Sequence, residues 1–385
     1  CHYPYRRLSG CGVSFKLAQA YNKKHNLPPE DLDKLLDLVC VSIASDIVPI
    51  TGENRILAHF GLLRLNSEPS LGLKTILSFS GINKDLTIND IVFRIGPKIN
   101  AAGRVESGNK SVELLIADDE TKATEVAASI NNFNDQRKKL DHDITEEALE
   151  YINQSHYDQS QKATVLYNPN WHKGVIGIVA SRLTEYYYRP TVILTESNGL
   201  ATGSARSVEG FDLYYAISQC SEFLENYGGH KYAAGLTLRL ENIEPFTAKF
   251  QKIVSETITK EMLTPQINID AQIKLNDITP DLYAMIQKFA PFGPNNTIPV
   301  FMTENVTNFI GSKQVGRNNE HLKLVVVDDT RVCNDRSGIA FGMGKAFPRI
   351  SKGEYFDICY TLQENEFMGR SDIQMMIRDL KFKEE

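Results

Sequence analysis

No stretch of this chain approaches the ~20 consecutive apolar residues that a helix needs to cross a bilayer, so no membrane span is expected. Cysteine is sparse. The six residues Cys1, Cys11, Cys40, Cys220, Cys333 and Cys359 are scattered with no Cys-x-x-Cys pair. That pattern argues against a zinc knot or a disulfide scaffold and fits a reducing, cytoplasmic setting. Net positive charge is missing too. At a formal net charge of -6 the chain has no global attraction for nucleic acid, so any such site must be a local basic groove on an acidic body. There is no internal repeat, no low-complexity segment and only one tryptophan, Trp171. The chain opens at Cys1 with neither a methionine nor a signal peptide, and Tyr3-Pro4-Tyr5 leads at once into structured-looking sequence. A lipidated cysteine would be followed by a polar tether, so the expectation is a piece of a longer protein.

What is present is 385 residues with 42% hydrophobic content, room for two or three globular domains. Residues 1–65 read as helical, with Val13, Leu17, Ala20 and Tyr21 at helical spacing and a break at Pro28-Pro29. A second helix is expected from Leu32 to Pro49, carrying Asp46 alone in an otherwise apolar run. A carboxylate there is expensive to bury unpaired, and either caps a turn or binds a cation. In residues 94–104, Gly96 and Pro97 are expected to prevent a regular element, while Arg94, Lys98 and Arg104 supply three cations. That loop suits phosphate contacts or is simply a solvated basic loop.

Residues 118–154 contain no Gly or Pro and repeat Val126, Ile130, Phe133, Leu140, Ile144 and Ala148 every three or four positions. One long amphipathic helix, or two abutting ones, is expected, with the charged faces around Arg137 and Asp141 solvated. Residues 162–263 alternate strand and helix. The loop through Trp171, His172 and Lys173 enters a helix whose free amides make a plausible anion site, with Trp171 either a stacking ring or a core anchor. Two small-residue turns are expected, Gly203 to Ser207 and, after a helical run from Leu213 to Tyr227, Gly228 to Gly235. If they meet at one sheet edge, bare amides with Ser204, Arg206, Ser207 and His230 make a phosphate pocket; otherwise the second is a glycine helix stop before a buried His. Residues 264–385 show about five strand patterns, starting with Ile267 to Leu275, and one helix, which suggests a small barrel of the OB type. Lys313, Arg317, Lys323 and Arg331 are candidates to line a single-strand groove on it.

Several stretches together resemble the RecJ family, single-strand-specific DNA exonucleases of the DHH phosphoesterase superfamily. They are Leu8 to Leu17, Ala44 to Pro49, Arg94 to Arg104, Trp171-His172 with Gly174 to Arg182, Gly203 to Ser207, Gly228 to Gly235 and Ala290 to Pro294. Their order and approximate spacing agree along nearly the whole chain. The resemblance implies a multidomain α/β architecture: part of a DHH catalytic domain (1–117), a connecting helix (118–155), a DHH-associated domain (156–263) and an OB-fold β-barrel (264–385). It also implies 5′→3′ degradation of single-stranded DNA in recombination and repair, with two Mn2+ or Mg2+ ions, and a helicase or single-strand-binding protein as possible partners.

On that pattern Asp46 is a metal-binding carboxylate. Arg104, Arg206 and His230 hold phosphates, with Ser204 and Ser207 assisting and Gly228-Gly229 forming the turn, while Trp171 and His172 lie beside the cleft. Ala205 departs from the glycine that is common there. On the family pattern the Asp-x-Asp and Asp-His-His ligand motifs would precede the segment that matches from Cys1 onward, and a search for Asp-His-His finds only Asp141-His142-Asp143, inside the long helix. The expectation is therefore a strand-gripping piece that hydrolyses little or nothing. A binding module alone, or a phosphodiesterase for short oligonucleotides or cyclic dinucleotides, are the competing readings.

Overall fold

The computed structural model describes residues 2–82, 84–154, 161–328, 335–367 and 369–383. Two compact units emerge, one from Cys1–Ser67, Leu86–Asn89 and Ile267–Glu385, the other from Glu68–Asp85 and Asp90–Gln266.

The first unit begins with helices α1 (Gly10–His25), α2 (Glu30–Asp33), α3 (Leu36–Ser45) and α4 (Gly52–Ser67). Ser9 caps α1 by accepting the Gly12 N–H at 3.1 Å, and Asn26 ends it in the left-handed region. Val13, Leu17 and Tyr21 follow helical spacing but lie exposed, and the buried residues of α1 are Gly12 and Phe15. The helix expected from Leu32 to Pro49 is broken at Lys34–Leu35 and stops at Ser45. Its end is a paired turn in which Ile47 N–H bonds Ala44 O at 3.2 Å and Val48 N–H bonds Ile43 O at 3.3 Å.

The second unit supplies α5 (Leu71–Ser78), while α6 (Ile88–Asp90) lies across the division between the two units. A single wide helical turn, Ile91–Ile95, leads directly into α7 (Gly96–Val105). The irregular loop expected here is thus a helix: Pro97 sits in its first turn, where a missing N–H costs nothing. Next come α8 (Asn109–Leu115) and the 35-residue α9 (Glu120–Gln154). A five-stranded sheet follows, built from β1 (Thr164–Tyr167), β2 (Thr191–Ser197), β3 (Leu200–Arg206), β4 (Leu224–His230) and β5 (Ala233–Leu238), in the order β1-β2-β3-β5-β4. Helix α10 (Ile176–Tyr187) joins β1 to its parallel neighbour β2, while α11 (Leu213–Ser218) and α12 (Ile243–Thr257) complete the unit.

Both faces of the sheet are covered at β1 and β2, which read as near-continuous apolar runs. Val192 and Leu194 pack with Phe246 and Phe250 of α12, whereas Ile193 and Leu166 pack with α10 and with Ile144 and Ala148 of α9. Two expectations change here. The run Leu213 to Tyr227 is α-helical only to Ser218, passes through one 3-10 turn at Ser221–Phe223 and continues as strand β4, and Gly203 to Arg206 belong to strand β3 rather than to a turn.

Back in the first unit, Ile267 to Leu275 yields only the two-residue strand β6 (Ala271–Gln272). After α13 (Pro280–Gln287) come β7 (Phe301–Asn308), β8 (Lys313–Val315), β9 (His321–Val327), β10 (Arg336–Ala340), α14 (Phe347–Ile350), β11 (Phe356–Phe367) and β12 (Arg370–Phe382). Strand β7 pairs with both β11 and β9, so β7, β11, β12, β10 and β9 form a ring-like arrangement. Tyr360, Phe356, Val306 and Leu324 fill its core. The segment between α13 and β7 docks on the turn after Asp46. Pro294 O accepts the Ile50 N–H at 2.8 Å, Arg55 Nε donates to Phe289 O at 3.3 Å, and a Cβ at Gly293 would lie 2.5 Å from Ile50.

Candidate phosphate-binding site

Strand register brings the two glycine-rich stretches together. Arg206 lies opposite Ala233, which lies opposite His230, giving one row across β3, β5 and β4. Ser204, Gly235 and Gly228 form the row two residues away. Directly opposed residues share a face, so Arg206, Ser204 and His230 stand on one side of the sheet around two glycines and an alanine. Ala205 and Ala234 of the intervening row are buried on the other side with α12.

The result is a floor nearly free of side chains. Gly228 and Gly235 are exposed, and a Cβ at Gly228 would meet nothing within 4 Å. Gly229 is needed for another reason, since its φ is 149° and a Cβ would sit 2.3 Å from Ala233 O. His230 is exposed and its Nδ1 accepts the Tyr232 N–H at 3.3 Å.

Helix α10 closes one flank. A Cβ at Gly177, in its first turn, would come within 2.9 Å of Ser204 Oγ and 3.0 Å of Arg206 Nη2, so glycine there leaves the space these groups occupy. Arg206 Nη1 donates to Ser204 Oγ at 3.0 Å and to Ala205 O at 2.8 Å. Burial pulls the Arg206 pKa down, and the nearby charge of Arg104 adds to the effect. Arg104, exposed at the end of α7, donates from Nη1 to Gly174 O at 3.0 Å, and its own carbonyl abuts Gly174 at 2.1 Å from where a Cβ would stand. Two guanidiniums thus approach one floor without a carboxylate between them in the contacts described.

Other expected residues fall differently. Trp171 is 5% exposed, packs with Val175, Ile176 and Ile193, and donates its indole N–H to Glu147 Oε2 at 2.9 Å. Its ring is a core anchor and is not available to stack on a base. His172 is half-buried, with Nδ1 accepting the Gly174 N–H at 3.1 Å. The Ser207 hydroxyl is engaged with Val208 O at 3.2 Å and Phe211 O at 3.1 Å, holding its own turn. Lys98 is no solvated loop cation. It is 8% exposed and ties α7 to Phe79 O and Asn131 Oδ1.

In the first unit, Asp46 is exposed at the end of α3 and accepts from Ser42 Oγ at 3.2 Å. Among the described residues no group of three or more His, Cys, Asp or Glu is placed to hold a metal ion. Lys323 is exposed on β9 directly opposite Lys313 of β8, Arg317 is exposed in the intervening loop, and Arg331 lies outside the described residues.

Sequence reasoning missed Asp141, which is 1% exposed and accepts from Arg182 Nη2 at 2.8 Å rather than being solvated. It missed Gly177 as well. The signal for Asp141 was its place on the apolar row of α9, one helical step from Ile144.

Two family models match the chain, one described as DHHA1 domain over residues 160–256 and one as RecJ OB domain over residues 269–379. The single-stranded-DNA-specific exonuclease RecJ of Bacillus subtilis (strain 168) is 35% identical across 98% of this chain and 47% of the relative. The same-named protein of Haemophilus influenzae is 31% identical across 98% of this chain and 68% of the relative. The chain therefore spans about half the length of the first and two-thirds of the second. A crystal structure of RecJ in complex with Mg2+ from Thermus thermophilus superposes with a TM-score of 0.85 at 25% identity, over 100% of this chain and 57% of that one. A second structure of that protein, in complex with Mn2+, gives the same TM-score of 0.85. With identity of 31% sustained over two-thirds of a relative and both domain models matched in order, this chain belongs to the RecJ family of single-stranded-DNA-specific exonucleases.

Proposed function

We propose that this chain is the strand-holding part of a 5′→3′ exonuclease for single-stranded DNA. The observation that carries the reading is the glycine floor across β3, β5 and β4, with Arg206 and Ser204 on one side and His230 on the other. Two strand spacings separate the Arg206 and His230 backbones, about 9–10 Å, a gap across which the two side chains can reach inward to one phosphate. Absent side chains let the phosphate approach the sheet, and the guanidiniums of Arg206 and Arg104 supply paired donors. His172 stands on the loop that Trp171 anchors beside Arg104 and Gly174, while Ser207 braces the turn after β3. Lys323 opposite Lys313 is a like-charged cross-strand pair, unfavourable by itself and relieved by an anion, which supports a strand track on the ring-like sheet.

Divalent metal ions of the whole enzyme would engage Asp46 as one carboxylate, but the residues in hand do not fit a complete site. Two such ions need several oxygen or nitrogen donors, and among the described residues no group of three His, Cys, Asp or Glu gathers at Asp46, whose neighbours include Ser42 and Cys11. This chain by itself is therefore expected to grip strands without cutting them. A cytoplasmic setting and cooperation with a helicase or single-strand-binding protein belong to the same proposal.

The test is binding and cleavage of a 5′-phosphorylated single-stranded oligonucleotide by this chain, with Mn2+, at two salt concentrations. Binding that weakens with salt, without cleavage, is expected. Salt-insensitive binding or none would overturn the reading, and metal-dependent cleavage would place a full ligand set within this chain.

A further inference from the structure

The buried row of α9 changes character midway. Buried Ile130, Asn134, Asp141, Ile144 and Ala148 share it, with the half-buried Arg137 between Asn134 and Asp141, so polar groups take the central positions where apolar ones are expected. Lys98 of α7 meets α9 at Asn131, and Arg182 of α10 meets it at Asp141. Arg137 lies between these two crossings.

Its surroundings leave it incomplete. The Arg137 Nε is shielded from solvent and has no hydrogen-bond acceptor. Asp141 gives Oδ2 to Arg182, and its Oδ1 is likewise shielded and unpartnered. Burial lowers the Arg137 pKa, Arg104 and Arg182 lower it further, and Asp141 opposes them. Arg104 exerts the same pressure on Arg206. Four guanidiniums therefore gather around Arg104 and α10, and Asp141, already bonded to Arg182, is the carboxylate set against them. A guanidinium short of an acceptor among like charges is unfavourable, and the half-buried Arg137 side chain keeps an accessible part with which to meet an anion.

We propose that Arg137, from the long helix, is a further phosphate-binding residue of this site, joining Arg104 and Arg206 on a bound strand. The inference rests on the strand-holding reading above. It assigns α9 a part in recognition in addition to its part in the core.

The experiment uses the full chain and a 5′-phosphorylated oligothymidylate, with dissociation constants measured across a salt series for wild type, Arg137→Ala, Arg137→Gln, Arg104→Ala and Arg206→Ala. Arg137→Ala is expected to bind about tenfold more weakly, with a salt slope shallower by about 0.7, the share of one phosphate contact on a single strand. Arg137→Gln keeps a polar group in the shielded position, so it decides the matter by the same two criteria if the alanine variant melts early. Wild-type affinity and slope in the Arg137 variants, while Arg104→Ala and Arg206→Ala weaken binding, would overturn this inference alone. No binding by the wild type would overturn the strand-holding reading and this inference with it.

Discussion

Ile47 adopts a φ of 53°, a left-handed conformation that is strained for a β-branched residue by about 1–2 kcal/mol. It occupies the position after a helix end where glycine is usual, and its side chain is 61% exposed, so little packing offsets the strain. Ile47→Gly is expected to raise stability by about 1 kcal/mol, the strain relieved less the extra freedom glycine gains when unfolded. A urea titration checks this, and an unchanged or lower midpoint would mean no strain is stored beside Asp46. Strain of this kind persists where the surroundings over-determine it, and here the Ile50–Pro294 bond does so.

Neighbouring glycines in β4 separate two jobs at the same scale. Gly229→Ala forces a methyl into Ala233 O and is expected to cost about 2–3 kcal/mol of stability. Gly228→Ala puts its methyl in open space, so the melting temperature should hardly move while affinity for a single strand falls severalfold. Equal binding by Gly228→Ala and wild type would remove the floor from the site.

At the scale of elements, α1 and α4 are joined by Lys16, whose Nζ lies 2.7 Å from Glu53 Oε2, and Tyr3 adds its hydroxyl to the same carboxylate. The hydrogen bond from Lys16 chiefly, then that from Tyr3, holds the Glu53 pKa below 4.5 against the opposing effect of burial. A depressed carboxylate contributes stability above its unfolded pKa and loses it as pH falls through the folded value. Glu53→Gln should therefore cost up to about 1 kcal/mol at pH 7, as partly exposed pairs do, and nothing once the pH is below the folded pKa. Denaturant midpoints over a pH series falling from 7 test it, and a difference that does not shrink as the pH falls would dismiss the ion pair.

The elements also differ in how far sequence revealed them. Helix α9 was legible because its repeat is local, with apolar residues three and four apart over 35 residues. Strand β4 was not. As an edge strand with both faces largely exposed it carries no period-two apolar pattern, and only its pairing with β5 makes it a strand. For the same reason the residue types of Arg206, Ser204 and His230 suggested phosphate chemistry, whereas the two rows that align them depend on register. Trp171 misled in the other direction, since one indole reads alike as platform or anchor until Glu147, 24 residues earlier, is seen to take its N–H.

On the scale of the molecule, an acidic chain with a net charge of -6 has to concentrate its cations to hold a polyanion. Reversing Lys313 and Lys323 together to Glu is expected to weaken binding of long single strands more than tenfold at low salt, and to leave a two- or three-nucleotide strand unaffected. Equal loss for both lengths, or for neither, would mean that face carries no track. The docking of the 288–294 segment on Ile50 and Arg55 has a different outcome, one concerned with time. The unit containing Asp46 is interrupted by the whole of the other, so the turn at Ile50 waits for Pro294, 244 positions later by numbering (294 less 50), to be synthesised. At about 5–20 residues per second the wait is roughly 10–50 s. During that interval the glycine floor can fold on the ribosome while the Asp46 turn is still unbraced, so the sheet that carries Arg206 and His230 is built before the support of the carboxylate.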